Sequence, residues 1–152
     1  MRLSQMQDIA GCRLIVDDFE SQQVIVRRLH RQLAPLGKVK SVDRRRRPSH
    51  GYRAVHLIVT VDGKPVEIQV RTLYQHLWAE LSESAADRYG SQVKYGGEAP
   101  NRPEVRQTLD TLSEGLAELE SAAPDIEASE AMKAVAAAVA LLIPGVIIGR
   151  ET

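Results

Sequence analysis

Between Gly51 and Thr72 the chain reads GYRAVHLIVTVDGKPVEIQVRT, and its alternate positions carry side chains able to do chemistry. If the two halves pair about Asp62-Gly63, then His56, Glu67, Gln69 and Arg71 share one face. That face offers an imidazole, a carboxylate, an amide and a guanidinium, where a solvated strand more often shows Lys, Thr and Ser. Just upstream, Arg44 to Arg47 and Pro48 form a basic loop, and guanidinium forks suit the oxygens of phosphate groups. The plain alternative is a hairpin with a wet outer face, on which a Glu67–Arg71 pair contributes little, beside an ordinary solvated or localisation-type arginine run. The flanking sequence bears on the choice.

The elements that must position these residues are well marked. Asp62 and Gly63 both tolerate the positive φ of a type I′ turn. With them at the turn, Val55 faces Val70, Leu57 faces Ile68 and Val59 faces Val66, while His56 falls opposite Gln69, Ile58 opposite Glu67 and Ala54 opposite Arg71. A slip of one residue would set Leu57 against Gln69, so the apolar pattern supports this register. Upstream, Asp8 and Gly11 lead into the apolar run GCRLIV, which predicts a buried strand over 12–16 with Cys12 as a small buried hydrophobe. Asp17-Asp18 supplies an N-cap for a helix over 19–33 with Val24, Val26, Leu29 and Leu33 among its apolar positions, ended by Pro35 and Gly37. Residues 38–43 alternate as a further strand. After the hairpin, 73–89 reads as a helix with Leu77, Trp78, Leu81 and Ala85 inward, and Gln75, His76, Glu80 and Glu83 elsewhere on its surface. A Gly-rich loop follows, then a helix from 104 to about 122 with Val105, Leu109, Leu112, Leu116 and Leu119 in one packing stripe.

The chain has 152 residues, enough for a single respectable core. Apolar residues make up 43% and charged residues 26%, an ordinary soluble composition. Net charge is zero but unevenly spread: residues 38–53 hold seven Lys or Arg against one acid, and residues 104–130 hold eight acids against one base. A polyanionic partner is therefore directed to the segment before the hairpin. One cysteine excludes an internal disulfide and points to a reducing, intracellular (cytoplasmic) setting. Residues 134–149 carry no charge, but the run is shorter than the 18–20 or so residues of a spanning helix and is broken by Pro144-Gly145. It reads as an alanine-rich packing helix and an apolar end needing cover, from a second copy or a protein partner, with membrane contact the minority reading.

Three motifs then line up: Asp8-Ile9-Ala10-Gly11-Cys12-Arg13, Gly51-Tyr52-Arg53-Ala54-Val55-His56 and Glu67-Ile68-Gln69-Val70-Arg71-Thr72. In this order, with a basic loop before the second and a helix bearing His76 and Glu80 after the third, they resemble the synthetase domain of the RelA/SpoT family, which makes the alarmones ppGpp and pppGpp. The resemblance covers about residues 5–97. It implies an α+β fold related to nucleotidyltransferases, a mixed sheet of four to five strands flanked by helices; beyond it, 98–152 reads by its apolar pattern as a C-terminal helical extension. It also implies transfer of pyrophosphate from ATP to the 3′-hydroxyl of GDP or GTP with Mg²⁺. Asp8 and Glu67 would be the metal-holding and catalytic carboxylates and Tyr52 the residue stacking on guanine. At the mouth of the hairpin the Tyr52 ring gains little from core burial, so its loss should cost little stability. Arg53, His56, Gln69 and Arg71 would line the acceptor site, with His76 near the base and Arg44 and Arg47 facing phosphates.

The chain departs from the family pattern in three places. Its basic loop holds only arginines where a lysine is usual. His76 stands where short synthetases often carry asparagine, leaving base choice open. Family domains also have a basic segment ahead of the first strand that holds ATP, whereas seven residues precede Asp8 here; on that reading the isolated chain binds GDP or GTP but synthesises alarmone feebly or not at all. Two other readings stay open: a toxin-like relative acting on adenine nucleotides or the 3′ end of tRNA, and an inactive module that holds a guanine nucleotide or a partner protein.

Overall fold

The hairpin forms as the residues dictate. In the computed structural model, which describes residues 10–121, β3 (Val55–Val61) and β4 (Lys64–Thr72) pair antiparallel with Leu57 opposite Ile68, His56 opposite Gln69 and Ile58 opposite Glu67. Asp62 and Gly63 take φ of 50° and 74°, the twist that lets the two strands run straight on from the turn. Asp8 and the apolar tail beyond residue 121 lie outside the described residues.

Among the described residues two further strands extend this hairpin into a four-stranded mixed sheet in the order β1-β4-β3-β2. β1 (Gly11–Val16) runs parallel to β4, and β2 (Val39–Asp43) antiparallel to β3. The connection from β1 is α1 (Phe19–Leu33), started where the Asp18 carboxylate accepts from the Ser21 amide at 2.7 Å. Ile25, Val26, Leu29 and Leu33 pack on Leu57, Ile68 and Val70, with Val16 and Val39 beside them. Leu57 and Val70 are wholly buried, and truncating such a leucine to alanine costs about 2–5 kcal/mol. Gln22, also fully buried, donates its Nε2 to the Val70 carbonyl at 2.8 Å, so a polar side chain ties α1 to the sheet.

This places one face of the sheet under α1 and leaves the other for the polar residues. Residues 10–48 and 53–73 make up this first compact unit, and 49–52 with 74–121 make up a second.

Two expectations about β1 are corrected. It is mostly exposed rather than buried, with Leu14 and Ile15 open to solvent, and Cys12 is exposed too. The reason is strand order: β1 is an edge strand, paired only with β4 among the described residues. On α1, Val24 is not part of the packed stripe; Ile25 is.

The second unit is helical. α2 (Leu73–Tyr89) and α3 (Glu104–Ser121) share a core of Trp78, Leu81, Ala85, Val105, Leu109, Leu112 and Leu116. Trp78 donates its indole N–H to the Leu109 carbonyl at 3.0 Å, satisfying the one polar atom of a buried ring. The expected α3 stripe is the buried one. On α2 Trp78, Leu81 and Ala85 are buried as expected, but Leu77 is exposed and Gln75 is buried, its Nε2 3.2 Å from the Glu120 carboxylate. No helix among the described residues is long and apolar enough to cross a membrane.

Candidate functional site

The open face of the sheet is assembled from three adjacent strands. Parallel pairing sets Gly11 beside Glu67, Arg13 beside Gln69 and Ile15 beside Arg71. Antiparallel pairing adds His56 beside Gln69 and Ile58 beside Glu67. Because paired residues project to the same side, Arg13, Gln69 and His56 form one row and Gly11, Glu67 and Ile58 the next.

The polar side chains in these rows are joined. Glu67 Oε1 lies 2.7 Å from His56 Nδ1, and Glu67 Oε2 accepts from Gln69 Nε2 at 3.0 Å. Gln69 Oε1 in turn accepts from Arg71 Nη2 at 3.0 Å. Amide orientation and imidazole tautomer follow from this network: Gln69 must turn its nitrogen to the carboxylate and its oxygen to the guanidinium. Burial alone would push the Glu67 carboxyl up, but the bonds from Gln69 and His56, with the Arg71 charge nearby, hold it below its ordinary value. Glu67 is therefore ionised at neutral pH, and His56 donates to it through Nδ1. Arg71 is largely buried, so its charge acts through Gln69 and across a short distance rather than as a solvated arm.

Gly11 leaves room beside this carboxylate. A Cβ there would stand 3.0 Å from the Glu67 carbonyl oxygen and 3.8 Å from Glu67 Cβ. With no side chain at this point, a shallow cleft of about 230 Å³ opens, lined by Gly11, Cys12, Arg13, Glu67 and Gln69. Each carboxylate oxygen accepts one hydrogen bond from protein and keeps further lone-pair capacity on its cleft side. An ionised carboxylate with spare acceptor capacity at an open cleft fits a hard cation such as Mg²⁺, which takes one or two carboxylates and fills its shell with water and phosphate oxygens. No cluster of three or more His, Cys, Asp or Glu side chains suited to a metal occurs among the described residues; the second expected carboxylate, Asp8, lies outside them.

Arg53, partly buried, lies two residues before the start of β3 in the first unit. Arg44 is partly buried, its amide bonded to the Ala54 carbonyl at 3.0 Å, and Arg47 is exposed. Between them Arg45 is committed elsewhere: its Nε lies 2.9 Å and 3.0 Å from the two Asp43 oxygens, and its guanidinium covers the Phe19 ring at 4.8 Å. The arginine run is thus partly structural, an arrangement that the bare repeat RRRR does not disclose.

Tyr52 and His76 belong to the second unit. Tyr52 closes a tight turn in which the Ser49 and Tyr52 amides and carbonyls bond reciprocally, with His50 and Gly51 at φ of 53° and 89°. Its ring is half-buried against the helical core, 6.4 Å from the Trp78 ring and tilted by 59°; the expectation that it gains little from burial is therefore corrected. His76 is half-buried on α2, with Nδ1 3.7 Å from the Glu80 carboxylate. In the sequence Arg13 stands out only by its place in a motif. Its register beside Gln69 at the cleft is the signal, and it becomes visible once β1 is known to lie parallel to β4.

Residues 1–94 match the family model described as a region found in RelA / SpoT proteins. An uncharacterised protein from Mycobacterium tuberculosis is 35% identical over 134 residues, covering 86% of this chain and 48% of the relative. The chain thus spans about half the length of that relative. The GTP pyrophosphokinase YjbM of Bacillus subtilis is 31% identical over 146 residues, covering 87% of this chain and 64% of that protein. Among solved structures, the small alarmone synthetase 1 from Bacillus subtilis bound to its product pppGpp superposes with a TM-score of 0.63 at 28% identity, over 90% of this chain and 69% of that one.

Proposed function

We propose that this chain, which belongs to the RelA/SpoT family, transfers pyrophosphate from ATP to the 3′-hydroxyl of a guanosine di- or triphosphate. The observation that carries the reading is the ionised Glu67 carboxylate, oriented by His56 and Gln69 at the mouth of a cleft that Gly11 keeps open. A relative named as a GTP pyrophosphokinase and a solved neighbour holding pppGpp support the choice of substrates.

Transfer of this kind is mainly positioning and charge neutralisation. The acceptor 3′-oxygen attacks the β-phosphorus of ATP, the bond from that phosphorus to the oxygen bridging the α-phosphate breaks, and AMP leaves. Glu67 accepts the hydroxyl proton at a carboxylate oxygen, and His56 and Gln69 keep that carboxylate ionised and aimed until then. Arg13 and the exposed Arg47 offer guanidinium forks to phosphate oxygens. Tyr52 is the base-stacking residue, as the resemblance implies. Mg²⁺, held by Glu67 together with Asp8, would offset the charge that builds on the transferred group.

The test is incubation of the full chain with Mg²⁺, ATP labelled in its β,γ-phosphates, and GDP or GTP in parallel. Label appearing on the guanosine acceptor, with release of AMP and loss of both in Glu67→Gln, is the expected result. Label transferred to tRNA or to an adenine nucleotide instead would overturn the choice of acceptor. Guanine-nucleotide binding without any turnover would leave a binding module.

A further inference from the structure

The turn that carries Tyr52 is held from a distance in sequence. Ser113 Oγ, on α3 and almost fully buried, donates to the Gly51 carbonyl at 2.7 Å. Arg106, two helical turns earlier on the same side of α3, donates through Nη2 to the His50 carbonyl at 3.2 Å. Two consecutive peptide carbonyls of the turn are thus fixed by one helix. Arg106 is itself oriented, its Nη1 bonded to the Val93 carbonyl at 3.2 Å and its other edge paired with Asp110.

Beneath the turn lies the Trp78 ring. A Cβ at Gly51 would approach Trp78 Cζ2 to 2.7 Å and Ser113 Cβ to 3.1 Å. The residue must therefore be glycine for contact as well as for its φ of 89°. The indole, on α2, is pinned by its own bond to the Leu109 carbonyl, so the floor under Tyr52 is also anchored to α3.

We infer that Arg106 and Ser113 are positioning residues for Tyr52: α3 presets the aromatic ring by clamping the peptide planes just before it. The inference rests on the proposed function for what that ring does, namely stack on the acceptor base. A preset ring gives up less conformational freedom when a base arrives, and the saving appears as affinity. If Tyr52 were only a core residue, its turn would need packing but not two directed bonds to adjacent carbonyls.

The experiment uses the full chain labelled with ¹³C in its tyrosine rings. Tyr52 signals are assigned by comparison with Tyr52→Phe, and Ser113→Ala is then compared with wild type in the absence of ligand. Ring signals that broaden or shift towards averaged values in Ser113→Ala are expected, with partial retention in Arg106→Lys. Unchanged Tyr52 signals in a folded Ser113→Ala would overturn the inference; should Ser113→Ala fail to fold, Arg106→Met is read in the same way. A GDP titration forms the second arm. Ser113→Ala should weaken binding by about tenfold in the wild-type background and by nothing further in Tyr52→Ala. An equal loss in both backgrounds would show a general structural effect and would also overturn the inference. Disordered ring signals combined with GDP binding untouched by Tyr52→Ala would uphold the positioning role and overturn the stacking role of the proposed function.

Discussion

His56 Nδ1 sits 2.7 Å from Glu67 Oε1 although the two residues are not cross-strand partners; His56 pairs with Gln69 and Glu67 with Ile58. They meet on the diagonal, a separation that long side chains can close on a twisted antiparallel pair. The consequence is that Gln69, lying between them in the ladder, can bond the second carboxylate oxygen without displacing the imidazole.

Glu67→Gln should leave the fold intact, because the side chain faces away from the apolar layer of Ile68 and Val70. It should abolish Mg²⁺-dependent transfer, since the amide has neither the negative charge to hold a cation nor the basicity to take a proton. Asp8→Asn is expected to behave alike. Circular dichroism and the labelled-ATP assay check both; folded variants with wild-type Mg²⁺ dependence would make the polar face structural.

Tyr52→Ala should weaken guanine-nucleotide binding by roughly one to two orders of magnitude, as loss of a base–aromatic stack worth about 1–3 kcal/mol implies. Because the ring packs against Trp78, the melting temperature should fall too, in contrast to the sequence-based expectation. Tyr52→Phe keeps the ring and should change neither greatly. Lost stability with unaltered GDP affinity would assign the ring to the core alone.

The hairpin, its register and the polar set on its outer face were legible because an Asp-Gly turn and strict alternation are local signals. What the sequence concealed depends on which elements become neighbours. The run GCRLIV has the same composition in a central strand as at an edge, so the exposure of Leu14, Ile15 and Cys12 follows only from strand order. Likewise Arg45 and Arg46 are alike in the sequence, yet it is Arg45 that bonds Asp43 and covers the Phe19 ring. The anchoring of Gly51 by Ser113 spans 62 residues, and no periodicity marks it.

The Asp43–Arg45 pair predicts a pH effect. The hydrogen bond from Arg45 lowers the Asp43 carboxyl below its ordinary value of 3.8, against the opposing effect of burial. A carboxylate with a depressed folded pKa adds stability that is present above the unfolded value and is lost as pH falls through the folded one. The pair is partly exposed and its contribution correspondingly modest. Asp43→Asn should therefore be less stable than wild type at neutral pH, and the gap should close below roughly pH 4. Urea unfolding at a series of pH values measures it; a gap that persists undiminished to the lowest pH would mean that the loss comes from packing rather than charge.

Two glycine substitutions separate room needed for chemistry from room left over. At Gly11 an added methyl group meets the Glu67 carbonyl oxygen at 3.0 Å, an atom fixed in the β1–β4 ladder, so the strands must part by a few tenths of an ångström and the cleft beside the carboxylate must shrink. At Gly115, within α3, nothing lies within 4 Å of the added group, and alanine is the better helix former by about 0.5–1 kcal/mol. Gly11→Ala should thus lose nucleotide transfer out of proportion to any fall in melting temperature. Gly115→Ala should melt higher and keep full activity. Thermal unfolding and the labelled-ATP assay on both variants decide it: an active Gly11→Ala would show that the cleft beside Glu67 is not where the reacting phosphates lie.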